Sequence, residues 1–217
     1  MRLSYPFGAP IRAPGKIIGV GRNYRDHAKE LDNAIPDEPL LFFKPPSSIV
    51  ASGEPIVRPR GSWRVDFEGE LGVVIGKTCR RVGKAQAMDY VFGYTIVNDV
   101  TVRDLQKKDG QFTRAKGFDS FCPVGPAIVT DLDPAKLRVV TRVDGVVKQD
   151  GLVSDMIFDI PTLIEVISRV MTLEPGDLIS TGTPAGVGPI VSGNVVEIEI
   201  AGIGTLSNHV VDEEESL

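Results

Sequence analysis

With 217 residues, 42% hydrophobic and 24% charged, the chain has the composition of an ordinary globular protein, enough for one core and too little for two, so residues 1–217 are expected to form a single domain. A net charge of −5 gives neither the basic face of a nucleic-acid binder nor an attraction to anionic membranes. Cys79 and Cys122 are the only cysteines, no apolar run reaches the roughly twenty residues of a membrane span, and Met1 to Pro6 lacks the apolar stretch of a secretion signal, so a reducing cytoplasm is the expected setting.

The first β-rich run, residues 17–20, leads through Gly19-Val20-Gly21-Arg22-Asn23-Tyr24 into a helical pattern over 23–31. The glycines mimic a dinucleotide loop, but Tyr24 stands where the third glycine belongs and a polar loop follows instead of a compact crossover. Asn23 is read as the helix N-cap with Asp26 three residues on. His27 and Glu30 then share a helix face, where the carboxylate orients the imidazole and raises its basicity, the arrangement of a general base. His209, the other histidine, has no acidic neighbour before Asp212.

A second short β-rich run follows at 40–43. The apolar stretch from Val65 to Ile75 reads as a strand entering the core, and within it Glu68-Gly69-Glu70 projects two carboxylates to the same side. Like charges crowded there repel, and a divalent cation offsets the repulsion. A third acid, Asp99, ends the run Phe92 to Asn98 and completes an all-oxygen set suited to Mg²⁺, Mn²⁺ or Ca²⁺. The competing readings are a solvent-facing strand and, for Asp99, a cap on the helix that Thr101-Val102-Arg103-Asp104-Leu105-Gln106 begins. Lys116, between Phe112 and Phe118, either stabilises an anion or snorkels along those rings. Arg22, Arg25, Lys44, Arg103 and Lys116 are the cations near these features.

Further β-rich runs lie at 71–76, 91–97, 126–129, 137–148, 178–180 and 195–206, with Asp144-Gly145 forming a two-residue hairpin turn. Leu163, Ile164, Val166, Ile167 and Val170 mark a core helix from Pro161 to Val170. Ser180 to Pro189 is glycine-rich but lacks the lysine that ends a P-loop, so its amides and hydroxyls suit a carboxylate or form a plain loop. Segments 1–15 and 212–217 are expected to be peripheral, the acidic tail solvated and frayed. The fold class is α+β, mainly β, with a few short helices.

Taken together, Gly19 to Tyr24 with His27 and Glu30, Leu41-Phe42-Phe43-Lys44-Pro45-Pro46, Glu68-Gly69-Glu70-Leu71, Asn98-Asp99-Val100-Thr101, Ala115-Lys116-Gly117-Phe118-Asp119 and Thr181-Gly182-Thr183-Pro184-Ala185-Gly186 resemble the fumarylacetoacetate hydrolase family across nearly the whole chain. The resemblance is to the short single-domain branch of acylpyruvases, oxaloacetate decarboxylases and oxaloacetate tautomerases. It implies a mixed β-sandwich roll, a homodimer, Mg²⁺ or Mn²⁺ on Glu68, Glu70 and Asp99, and a His27–Glu30 dyad on a lid with Lys116 as the third catalytic group. Arg22, Tyr24, Lys44, Arg103, Gln106, Gly182 and Thr183 are the expected substrate contacts. The implied activity is carbon–carbon cleavage of a small 2-oxo acid through a metal-stabilised pyruvate enolate, as acylpyruvate hydrolysis or oxaloacetate decarboxylation. Oxaloacetate keto–enol tautomerisation and 2-hydroxyhepta-2,4-diene-1,7-dioate isomerisation are the alternatives. A non-catalytic domain with a structural Ca²⁺ or Mg²⁺ is the reading of a different class.

Overall fold

The computed structural model describes residues 8–214 except Arg12, Leu31, Asn33 and Ser62. In chain order come β1 (Ile17–Gly21), α1 (Arg25–Glu30), β2 (Leu40–Lys44), β3 (Ile49–Val50), β4 (Ile56–Arg58), β5 (Val65–Phe67) and β6 (Gly69–Ile75). Next are β7 (Val91–Asn98), β8 (Thr101–Val102), α2 (Arg103–Asp109), α3 (Thr113–Lys116), β9 (Cys122–Val129), β10 (Arg138–Val143) and β11 (Val146–Leu152). The last third holds α4 (Ile160–Val170), β12 (Leu178–Ser180), β13 (Gly188–Pro189), β14 (Val195–Ile200) and β15 (Gly204–Asp212).

Three sheets result, ordered β2-β1-β12-β6-β7-β9-β3, β11-β10-β14-β15-β4 and β13-β5-β8. The pairs β1–β12, β15–β4 and β3–β9 are parallel and the rest antiparallel, so the protein is α+β and mainly β, with mixed sheets. The main core gathers Ile18, Leu71, Val73 and Ile96 from the first sheet with Val139, Ile198 and Leu206 from the second. Helix α4 adds Leu163, Ile164 and Ile167, each buried and each contributing roughly 1.5–3 kcal/mol by leaving water. Asp159 caps it by accepting the Thr162 N–H at 3.0 Å, and Pro161 sits where a missing N–H costs nothing. Among the described residues no helix is long and apolar enough to cross a membrane.

Several local readings need correction. The stretch from Val65 to Ile75 is two strands in different sheets, β5 and β6, with Glu68 at the break. The Asn98 side chain accepts the Glu68 N–H at 3.0 Å in place of a strand neighbour, and a Cβ on Gly69 would lie 2.2 Å from Thr141 Oγ1, so the close approach of β10 needs a glycine there. Thr101 and Val102 form β8 and the helix starts only at Arg103, so Asp99 caps nothing. Asn23 is not a cap either: its Nδ2 donates to the carbonyls of Phe158 at 3.0 Å and Thr181 at 2.7 Å, and its Oδ1 accepts the Phe158 N–H, tying the entry of α1 to the far end of the chain. The run 195–206 splits at a turn over Ala201-Gly202-Ile203 into β14 and β15. The Asp144-Gly145 hairpin forms as read, Val143 facing Val146 across two positive-φ residues.

Residues 1–7 and 215–217 lie outside the described residues. Within the flanking stretches, Ile11 is buried against Ile17, Val74 and Leu178, and Asp212 pairs with Arg58 at 2.9 Å.

Candidate active site

Glu68 occupies the break between β5 and β6, Glu70 is the second residue of β6, and Asp99 follows β7 directly. Gly69 faces Asn98 in the antiparallel β6–β7 pair, and the Asp99 N–H extends the ladder to the Glu68 carbonyl at 2.9 Å. This register gathers the three side chains: one carboxylate oxygen from each lies within 4.8 Å of the others, and all three residues are buried.

Burial disfavours carboxylate charge, and crowding adds to the cost. Burial, then Asp99 and Glu68, push the Glu70 carboxyl up to about 8, although the Ser180 hydroxyl donates to its Oε2 and favours the ionised form. The Gly182 N–H donates to the same oxygen at 2.8 Å. Burial also opposes the charge on Glu68, but the Lys116 ammonium and the Arg103 guanidinium overcome it and hold that carboxyl well below the usual range. At neutral pH the cluster therefore does not carry three negative charges without a further positive one. A buried, hard, all-oxygen donor set with that deficit fits a divalent cation, which Glu68, Glu70 and Asp99 would hold.

Three cations stand against the cluster. Lys116 Nζ donates to Glu68 Oε2 at 2.8 Å, Asp99 Oδ2 at 2.5 Å and Thr101 Oγ1 at 2.7 Å. Burial works against its charge, yet Asp99 and Glu68 outweigh burial and raise its pKa, so it is an ammonium throughout the neutral range. Its aromatic neighbour is the Phe42 ring, 4.8 Å away, and not the flanking Phe112 or Phe118. Lys44 Nζ donates to Asp99 Oδ1 and to the Lys116 carbonyl, each at 2.6 Å. Arg103 donates from Nε to Asp66 Oδ2 at 2.9 Å and from Nη1 to Gln106 Oε1 at 3.0 Å. Its Nη2 stands 2.6 Å from Glu68 Oε1, an ion pair whose angle falls outside hydrogen-bond geometry.

A cavity of about 690 Å³ opens over this floor. Its walls include His27, Glu30, Arg22, Arg103, Gln106 and Thr183, so the helix α1 dyad and the carboxylates face one space. His27 is buried and its Nδ1 has no hydrogen-bond partner among the described residues; Glu30 Oε2 lies 3.5 Å away, a loose approach. Burial lowers the His27 pKa below 6.5 against the pull of Glu68 and Glu30, leaving a neutral imidazole. Both Glu30 oxygens lie 3.1 Å from the Gly186 N–H, which donates to them.

Tyr24, Lys44 and Gly182 are not among the residues that line the described cavity. Lys44 is spent on Asp99, and the Gly182 N–H on Glu70. Tyr24 is buried beside Glu70, where burial first and that carboxylate second drive its phenol pKa up. The Thr183 hydroxyl donates to the Gly69 carbonyl at 2.8 Å, so only its other atoms face the cavity unspent. Asp66, which holds Arg103 and Arg64, was missed, although the alternation Asp66, Glu68, Glu70 signals it.

Residues 16–211 match the family model described as fumarylacetoacetate (FAA) hydrolase C-terminal. The oxaloacetate tautomerase YisK of Bacillus subtilis is 49% identical over 93% of this chain and 72% of its own length. The mitochondrial oxaloacetate decarboxylase of Dictyostelium discoideum is also 49% identical, over 88% of this chain and 90% of its own. Among solved structures, the 2-hydroxyhepta-2,4-diene-1,7-dioate isomerase of Mycobacterium marinum superposes with a TM-score of 0.89 at 54% identity, covering 96% of this chain and 78% of that one. The maleylpyruvate hydrolase of Sphingobium sp. SYK-6, solved with manganese(II) and pyruvate, gives 0.84 at 38% identity, covering 95% and 74%. With the match spanning nearly the whole chain, the protein belongs to the fumarylacetoacetate hydrolase family of enzymes.

Proposed function

We propose that this chain is a divalent-metal-dependent enzyme of small 2-oxo acids that decarboxylates oxaloacetate to pyruvate. The observation that carries the reading is the buried Glu68, Glu70 and Asp99 cluster with the Lys116 ammonium set against it on the cavity floor. A bound cation supplies Lewis-acid polarisation of the 2-oxo acid. The side chains supply the rest. As the bond from C3 to the departing carboxylate breaks, its electron pair moves toward the C2 carbonyl oxygen and CO₂ leaves, and the Lys116 charge compensates the enolate that develops. Arg22 and Gln106 line the cavity wall and would receive a carboxylate. Water protonates C3 to complete pyruvate.

The neutral His27 favours a second reading. A neutral imidazole is a base, able to take the C3 proton of oxaloacetate on one ring nitrogen and return it to the C2 oxygen, with Glu30, 3.5 Å from Nδ1, steadying the imidazolium between the two transfers. That is keto–enol tautomerisation, and the same base would take a proton from water in hydrolysis of an acylpyruvate. Proton NMR of metal-stripped protein resupplied with Mg²⁺ separates the three. Oxaloacetate converted to pyruvate faster than in a protein-free control marks the decarboxylase, faster keto–enol exchange the tautomerase, and acetate plus pyruvate from acetylpyruvate the hydrolase. No change with either compound would contradict the proposal.

A further inference from the structure

We infer that Gln149, a fully buried residue of β11, is a positioning residue that sets the metal-holding carboxylates in register with the loop after β12. The inference rests on the metal reading above. In the β10–β11 hairpin Thr141 pairs with Gln149 and Arg142 with Val147, so Lys148 is skipped; this bulge turns Gln149 inward from an otherwise exposed edge strand. Its Oε1 accepts the Gly69 N–H at 2.9 Å, and its Nε2 donates to Thr183 Oγ1 at 2.6 Å and to the Pro184 carbonyl at 2.8 Å. The amide orientation is fixed by these partners, because the Gly69 N–H can only donate and the Pro184 carbonyl only accept.

Thr183 Oγ1 closes the circuit by donating to the Gly69 carbonyl at 2.8 Å. Both polar groups of the one residue between Glu68 and Glu70 are thus held by a three-membered ring of hydrogen bonds, Gly69 to Gln149 to Thr183 and back. The neighbouring Gly182 N–H holds Glu70 itself, and Gly186, two residues past Pro184, holds Glu30. One amide therefore anchors the backbone that presents two carboxylates and the loop that grips Glu70 and the partner of His27. Gln149 touches neither the cavity nor the carboxylates, so its effect passes through those neighbours.

The test is Mn²⁺ binding, followed by electron paramagnetic resonance on the full chain. Gln149→Met keeps the length of the side chain and removes every hydrogen bond; it should weaken Mn²⁺ about tenfold or more, as the loss of partners behind metal ligands does. Thr183→Val opens the same ring from the other side, and the double variant should bind about as weakly as the weaker single variant, since both break one circuit. Ile167→Ala, a cavity in α4, measures what general destabilisation alone does and should leave Mn²⁺ affinity within about twofold. If Gln149→Met does not accumulate as folded protein, Gln149→Asn retracts the same amide by one methylene and carries the same expectation. Wild-type affinity in the Gln149 variant, or an equal loss in Ile167→Ala, would overturn the inference while leaving the metal site standing. Failure of the wild type to bind Mn²⁺ would overturn both.

Discussion

At His27 the chemistry turns on a proton that the imidazole lacks. Burial keeps it neutral, its Nδ1 has no hydrogen-bond partner among the described residues, and Glu30 is near enough to stabilise an imidazolium without already holding one. His27→Ala should therefore cost tautomerisation or hydrolysis about a hundredfold, the usual worth of a positioned base. Decarboxylation, in which no proton is removed from carbon, should lose far less. Rates of the variant on oxaloacetate and acetylpyruvate check this, and an unchanged rate in every assay would take His27 out of the mechanism. The pairing of His27 with Glu30 was legible because helix spacing dictates it. The roles of Lys44 and Tyr24 were not, because the sequence gives a cation and a phenol but not the fold that turns one onto Asp99 and buries the other beside Glu70.

Among the elements, the loop from Thr181 to Gly188 does more than its glycine-rich sequence foretold. It reads as a carboxylate binder or a plain loop, and three of its donors are committed to the protein's own groups: Gly182 to Glu70, Thr183 to Gly69, Gly186 to Glu30. The glycine at 186 is enforced by space, since φ is +100° and a Cβ would lie 1.9 Å from the Lys148 carbonyl oxygen. Gly186→Ala must displace the loop, at a cost of about 1–3 kcal/mol in strain. Freeing Glu30 in the process should lower tautomerisation or hydrolysis by about tenfold or more, as small misplacements of catalytic groups do. Thermal melting and steady-state rates test it, and full activity at a lowered melting temperature would show that Glu30 needs no such tether. The strand break at Glu68 also escaped the sequence, because Val65 to Ile75 is apolar enough for one strand and only the glycine at 69 hints at an interruption. The conclusion that Glu68 and Glu70 converge holds nonetheless, since β6 and Asn98 rebuild the register on the far side of the break.

Across the whole molecule, the mixed sheets and short helices follow from β-rich runs cut by glycine and proline, and the order of the sheets does not. Strand β12 lies between β1, some 160 residues earlier in the chain, and β6, and its antiparallel pairing with β6 brings Ser180 and Gly182 to Glu70, a contact no local pattern encodes. What this arrangement builds is a buried carboxylate cluster whose cations sit on Glu68 and Asp99 while Glu70 is held by neutral donors, and its linkage to pH follows. In the metal-free fold the Glu70 carboxyl is raised from 4.5 to about 8, so the folded chain keeps a proton that the unfolded chain releases; that stabilisation is complete below 4.5 and is lost as pH rises through about 8. A cation entering the site must expel this proton. The direct measurement is calorimetric titration of Mn²⁺ into metal-stripped protein at pH 7 in buffers of different ionisation enthalpy. The account predicts one ion per chain with about one proton released, the release fading above pH 8 and absent in Glu70→Gln, which should bind far more weakly. No binding, or binding without proton release and unaffected by Glu70→Gln, would contradict it.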